Sequence, residues 1–376
     1  MKAVFLLALL LVAAIAAIGA HSQRLSIPAS RRGLGDMMGG KRQAPIAPKT
    51  IQELVEVLNQ DRLQKVGSVP DPKQPANPVI AIMTTPYSDC IGFMPTTGIT
   101  TKNPHSCIEN YYVKWLEFSG VRVVAMPWDG DFQTVKKPIL DGVNGVLFPG
   151  GGLGGADFTR YLKYSTEIYN YTVDRHHQND DFVLWGTCQG FQVLSIIQAG
   201  GDESILHCDF VGTDPSMLPL DFTVHQPTSR MFGPVAQSPV DVVKVLRTSN
   251  STLNYHGCGV TPSVFEAKAG ATVNILSTNV DLKGSPFVSS YENKELNIFA
   301  TQYHPERPPF EFSENIITHD PATTLTVSTF HSQFLANKLR TVQHSFAAQD
   351  TVNKLTMENY EFINLGWGAQ GFWLPY

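Results

Sequence analysis

The sequence predicts an α/β fold, a three-layer sandwich with a largely parallel central sheet flanked by helices. Two patterns lead there. From Pro78 onward, short runs recur that are too continuously apolar for simple alternation, as strands buried on both faces require. Most of them are followed by a stretch of helical periodicity.

Taken in order, residues 79–83 read as a buried strand, 109–119 as helix and 121–125 as a second strand. Residues 145–148 form a third strand that runs into Pro149 and a row of glycines. Helix is expected at 161–173, strand at 182–185 and helix again at 191–199. Further strands are expected at 271–276 and 296–301, and a last helix at about 325–338. The α/β domain therefore spans about 76–345, followed by a polar, poorly defined tail over 346–376. No internal repeat is visible.

The chain has 376 residues, room for one large domain or two small ones. With 43% hydrophobic and 16% charged residues it has the composition of a packed globular protein. A net charge of −5, with no basic stripe interleaved with aromatics, gives no reason to expect a nucleic-acid partner.

The N-terminus carries an address. Lys2 precedes an apolar run from Ala3 to Ile18 that closes on Gly19-Ala20, the parts of a secretory signal peptide over 1–20 cleaved after Ala20. The alternative, a membrane anchor, needs roughly 20 apolar residues, more than this run supplies. No later segment is long and apolar enough to span a bilayer, so no membrane association is expected after cleavage. The expected location is secreted or lysosomal (vacuolar). The sequons at Asn170 and Asn250 are candidate glycosylation sites in that compartment. Residues 21–75 read as a leader or pro-segment with the basic pairs Arg31-Arg32 and Lys41-Arg42. One helix interrupts it: Thr50 and Glu53 form a capping box, and Ile51, Leu54, Val55 and Leu58 make an apolar stripe. That helix is expected to dock on the domain or lead into its first strand.

Five cysteines, Cys90, Cys107, Cys188, Cys208 and Cys258, leave at least one thiol unpaired within the chain. If Cys188 is the free one, three pairings remain, of which Cys90–Cys107 is the most local. No CxxC spacing supports zinc or redox chemistry. Asp174-Arg175-His176-His177 with Asp180-Asp181 is a poor metal set, because adjacent histidines do not share a helix face. No metal or cofactor is expected.

Gly186-Thr187-Cys188-Gln189-Gly190 follows a strand and opens a helix. This is the Gly-x-nucleophile-x-Gly elbow with cysteine as nucleophile. The turn places the thiol at a helix N-terminus, where unpaired N–H groups favour a thiolate. The N–H of Gln189 is directed to where an oxyanion forms. His304, in Gln302-Tyr303-His304-Pro305-Glu306, also follows a strand, so it reaches the same sheet edge, and Glu306 is suited to orient its ring. The loop Phe148-Pro149-Gly150-Gly151-Gly152 offers bare N–H groups for the other half of the oxyanion hole. It lacks the Lys-Ser/Thr of a phosphate-binding loop.

These three segments resemble the class I glutamine amidotransferase superfamily, most nearly its γ-glutamyl hydrolases. Thr187, Phe191, Ser229-Arg230-Met231-Phe232 and Leu276-Ser277-Thr278-Asn279 carry the narrower likeness. The resemblance implies Cys188 as nucleophile, His304 as proton donor, Glu306 as its orienting carboxylate, and Gly151 and Gln189 as oxyanion donors. It implies a substrate with γ-linked glutamates, such as folylpoly-γ-glutamates, and a homodimer is the candidate assembly. Arg230, with Ser229 beside it, is the candidate contact for a substrate carboxylate. The sequence departs from the family pattern at Thr228, where a histidine is common, with His225 three residues earlier. Two other functions compete: a glutaminase feeding ammonia to a synthase, and an inactive binding protein on the same fold.

Overall fold

Continuously apolar strands need protein on both faces, and the fold supplies it. The structure, a computed structural model, describes residues 46–65, 77–86, 89–90, 106–213, 215–233, 241–311, 320–366 and 369–376. The expected signal peptide and most of the leader lie outside these residues.

The chain runs through α1 (Ile51–Lys65), β1 (Val79–Met83), β2 (Thr85–Pro86), β3 (Ser106–Glu109), α2 (Asn110–Glu117) and β4 (Arg122–Met126). It continues through α3 (Lys137–Leu140), β5 (Gly145–Phe148), α4 (Gly155–His177), β6 (Val183–Thr187) and α5 (Gln189–Gln198). Next come β7 (Leu206–His207), β8 (Ser216–Leu218), β9 (Asp221–Phe222), α6 (Val242–Thr248), β10 (Thr252–Asn254), β11 (Gly259–Val260) and α7 (Pro262–Ala269). The last elements are β12 (Val273–Val280), β13 (Pro286–Asn293), β14 (Ile298–Thr301), α8 (Pro321–Leu339), α9 (Gln349–Leu355), β15 (Glu361–Gly366) and β16 (Ala369–Leu374).

The central sheet has the order β4-β1-β5-β6-β14-β13-β12-β9. Its first five strands are parallel and every residue of β1, β5, β6 and β14 is buried. Helix α8 packs on α2 and α6, while α4 and α7 pack on α5, giving helical layers about the sheet. Trp115 of α2 donates to the Ser328 carbonyl at 3.0 Å, which ties α2 to α8 through a buried indole N–H.

Three features depart from the sequence reading or extend it. The one strand expected at 271–276 is half of a hairpin, β12 with β13, and both strands run antiparallel to their neighbours. Ser277 and Ser290 face each other inside it with their hydroxyls 2.6 Å apart. Buried serines satisfied by one another hide the apolar pattern that marks a strand.

The segment after Ser345 is not the poorly defined tail expected. Phe346, Val352, Leu355 and Met357 are buried. β16 pairs antiparallel with β3, Phe372 opposite Ile108, and closes a second sheet of order β15-β16-β3-β2. The Ser106 hydroxyl donates to the Tyr376 carbonyl at 2.6 Å.

Helix α1 docks on the domain, burying Leu54 and Leu58. Its buried Asp61 carboxylate accepts from the N–H groups of Ala347 and Ala348 at 3.0 and 3.1 Å. Of the expected capping box one half forms, the Glu53 N–H donating to the Thr50 hydroxyl at 3.1 Å, while the Glu53 carboxylate accepts from Lys49 N–H at 2.7 Å.

Candidate active site

Register puts the candidate groups on one edge. Thr187 of β6 is level with Thr301 of β14, and Gly186 with Phe148 of β5, so all three strands end together. Cys188, His304 and the glycine loop project beyond that shared edge.

The elbow is enforced by space. Cys188 has φ +51° and ψ −108°, a region that costs a non-glycine residue about 1–3 kcal/mol. The glycines beside it make the turn possible. A Cβ on Gly190 would lie 2.0 Å from the Phe148 carbonyl oxygen, and one on Gly186 would lie 2.7 Å from the Gly190 oxygen. The Cys188 N–H donates to the Thr301 carbonyl at 2.9 Å, locking the elbow to β14. Cys188 is the one free thiol: Cys90 bonds Cys107, and Cys208 bonds Cys258.

His304 follows β14, and its Nδ1 lies 2.6 Å from Glu306 Oε1. Both residues are buried, and His304 Nε2 has no hydrogen-bond partner among the described residues. A Cβ placed on Gly150 would fall 2.8 Å from His304 Cε1 and 3.2 Å from Cys188 Cβ, so the three residues converge. Burial by itself would push the imidazole down. The Glu306 carboxylate and then the Cys188 thiolate outweigh it and hold His304 at about 10. The ring is therefore an imidazolium at neutral pH, oriented by one carboxylate and next to one sulfur.

Of the glycine loop's amides, Gly150 N–H donates to the Tyr112 hydroxyl at 2.7 Å and Gly152 N–H to Asp89 Oδ1 at 2.8 Å. Leu153 N–H donates to Gln189 Oε1 at 3.1 Å, and Gln189 Nε2 returns a bond to the Leu153 carbonyl at 2.8 Å. The N–H groups of Gly151 and Gln189 are left without a protein acceptor among the described residues.

These groups line a cleft of about 320 Å³. The disulfides hold its walls. Cys107 anchors β3 on one side, and Cys258 anchors the 255–258 segment on the other. Closing a loop of 17 residues is worth about 3 kcal/mol of unfolded-state entropy.

Sequence reasoning missed several residues in the cleft: Asp89, Glu109, Tyr112, Tyr255, His256 and Arg307. Arg307 carries a local signal, since Glu311 at i+4 binds it through two bonds of 2.6 and 3.0 Å. Burial, aided by the His304 charge and opposed by the Cys258 carbonyl, pushes His256 down to about 3 and keeps it neutral.

Arg230 and Ser229 are not in the cleft, which corrects the expected substrate contact. The Arg230 guanidinium donates to the Leu296 carbonyl at 3.0 Å and to the Asn293 carbonyl, and lies over the Phe299 ring. Those groups stand at the start of β14, the opposite end of that strand from His304. Carbonyls in the loop entering a strand need donors, and Arg230 supplies them. The Ser229 hydroxyl is buried, donating to the Gln226 carbonyl and accepting from Phe232 N–H. Thr228 and His225 are exposed, the former donating to the latter's carbonyl.

Asn170 is exposed on α4, and Asn250 is exposed ahead of β10. The His176-His177 segment closes α4, where Arg175 forms an ion pair with Asp180 and His176 Nδ1 lies 3.6 Å from Asp181. No helix among the described residues is long and apolar enough to cross a membrane.

The class-I glutamine amidotransferase family matches residues 105–320. γ-Glutamyl hydrolase of Mus musculus is 31% identical over 290 residues, covering 76% of this chain and 84% of its own. The chain belongs to this family, among its γ-glutamyl hydrolases. Gamma-glutamyl hydrolase B of Dictyostelium discoideum is 28% identical over 285 residues, covering 75% of this chain and 78% of its own. γ-Glutamyl hydrolase 1 of Arabidopsis thaliana is 26% identical, covering 82% and 84%.

Proposed function

We propose that this protein hydrolyses γ-glutamyl amide bonds, including those of folylpoly-γ-glutamates, through a thioester on Cys188. The observation that carries the reading is the convergence of a strained, free Cys188 with the His304–Glu306 pair at one sheet edge. Membership of the γ-glutamyl hydrolases supplies the bond type.

The Cys188 thiolate attacks the γ-carbonyl carbon, and the carbonyl oxygen gains the negative charge. The two unengaged N–H groups, of Gly151 and Gln189, receive it. His304 gives its proton to the departing amine as the C–N bond breaks. The neutral ring then takes a proton from water, which attacks the thioester and releases the γ-carboxylate and the thiolate. Glu306 keeps the ring in the tautomer that both steps need.

The apolar run at 3–18, the cysteine pairs and the exposed sequons at Asn170 and Asn250 support a glycosylated protein of the secretory pathway, extracellular or lysosomal. A homodimer is proposed with it, to be decided by analytical ultracentrifugation.

The test is Cys188→Ala. It is expected to fold cooperatively and to release no glutamate from a γ-linked polyglutamate followed by mass spectrometry. Turnover retained in that variant sinks the assignment.

A further inference from the structure

The geometry points to a subsite for the two substituents on the α-carbon of a γ-glutamyl group, in which Glu109 receives the α-nitrogen and Arg307 the α-carboxylate. The inference rests on the hydrolase reading above and extends it to which part of the substrate is recognised.

Glu109 ends β3 and caps no helix with its side chain, although α2 begins at the next residue. Its carboxyl opens into the cleft and accepts no hydrogen bond among the described residues. The side chain is half-buried. Burial raises its pKa, the Arg307 and His304 charges oppose this, and Glu306 and Glu311 add to it. A carboxylate that lines the cleft with no protein donor among the described residues is open to an N–H of a ligand.

Arg307 presents the opposite charge to the same space. Its Nε and Nη2 are held by Glu311, and its guanidinium lies between the rings of Tyr111 and Tyr255 at 5.5 and 5.0 Å. Nη1 has no acceptor among the described residues, and Arg307 lines the cleft. Clamped in this way, the guanidinium loses little freedom when it binds a carboxylate.

Both residues are tied to the reacting centre. Arg307 follows His304 by three positions, and Glu109 precedes Tyr112, whose hydroxyl holds Gly150 N–H. In a γ-glutamyl group the α-carbon is three bonds from the reacting carbonyl carbon, about 4 Å at standard bond lengths. It bears one N–H donor and one carboxylate, which match an acceptor and a cation lining one cleft. A departing glutamate instead carries two free carboxylates, which Glu109 would repel. The pair therefore suits the acyl side of the scissile bond.

The experiment compares γ-glutamyl-p-nitroanilide with glutaryl-p-nitroanilide, which keeps the carboxylate and lacks the nitrogen. The intact protein should favour the first in kcat/KM by about tenfold or more, the usual range for a charge-assisted hydrogen bond. Glu109→Gln should reduce that ratio by about tenfold. An unchanged ratio, or an equal fall for both substrates, overturns the subsite. Calorimetry in a Cys188→Ala background reads the same contact without turnover. Glutamate should bind more tightly than glutarate, and adding Glu109→Gln should remove the difference. Equal or absent binding of the two overturns the subsite. Discrimination in binding without hydrolysis by the intact protein would retain the subsite and reject the hydrolase.

Discussion

Replacing Glu306 by Gln removes the carboxylate that holds the His304 proton while keeping the side chain's size. In the folded protein His304 sits at about 10. In an unfolded chain it sits near 6.5, so the difference is on the order of 5 kcal/mol, shared between Glu306 and the Cys188 thiolate. Once Glu306 is neutral, burial acts against the thiolate alone, and the imidazole pKa falls. The assay is the pH profile of kcat/KM on γ-glutamyl-p-nitroanilide, run beside alkylation of Cys188 by iodoacetamide. In the intact protein the basic limb should lie near 10, where His304 ceases to be a proton donor. In Glu306→Gln it should move down by roughly 2 units or more, with kcat/KM at neutral pH falling about 10²–10³-fold. The same proton affects folding. A raised histidine pKa adds stability that is complete below about 6.5 and is lost as pH rises through the folded value. The intact protein should thus lose thermal stability from neutral pH to about 10, and the variant should lose much less. A basic limb that stays in place in Glu306→Gln, or activity that survives at neutral pH, refutes the assigned role.

Two further outcomes follow from the packing. Arg230→Ala should lower the melting temperature, since carbonyls entering β14 lose their donors at about 1–3 kcal/mol, and should leave KM unchanged. A KM that rises severalfold with stability intact would put Arg230 back among the substrate contacts. Gly190→Ala should prevent folding or cost more than about 4 kcal/mol, because its Cβ meets backbone at 2.0 Å. Gly154→Ala, with nothing within 4 Å of the added carbon, is the matched control and should melt close to the unaltered protein.

The sequence by itself determined the features whose physical requirements lie in adjacent residues. Gly186 and Gly190 flank Cys188 because neither position has room for a Cβ, so the elbow is legible as a five-residue string. The five parallel strands are legible because burial on both faces leaves apolar runs. Cys188, His304 and Glu306 were candidates for the same reason, each following or ending a readable strand. Tertiary structure decided what depends on distant segments meeting. β16 joins β3 across more than 260 residues, Gly371 opposite Glu109, and turns an apparent tail into the partner of a cleft-lining strand. Arg230 looked like a substrate cation, but the loop that enters β14 claims its donors. Glu109 and Arg307 are nearly 200 positions apart, and no local pattern marks either as facing the other. They come to line one cleft only after the sheet registers have aligned β6 with β14 and the disulfides have held the cleft walls.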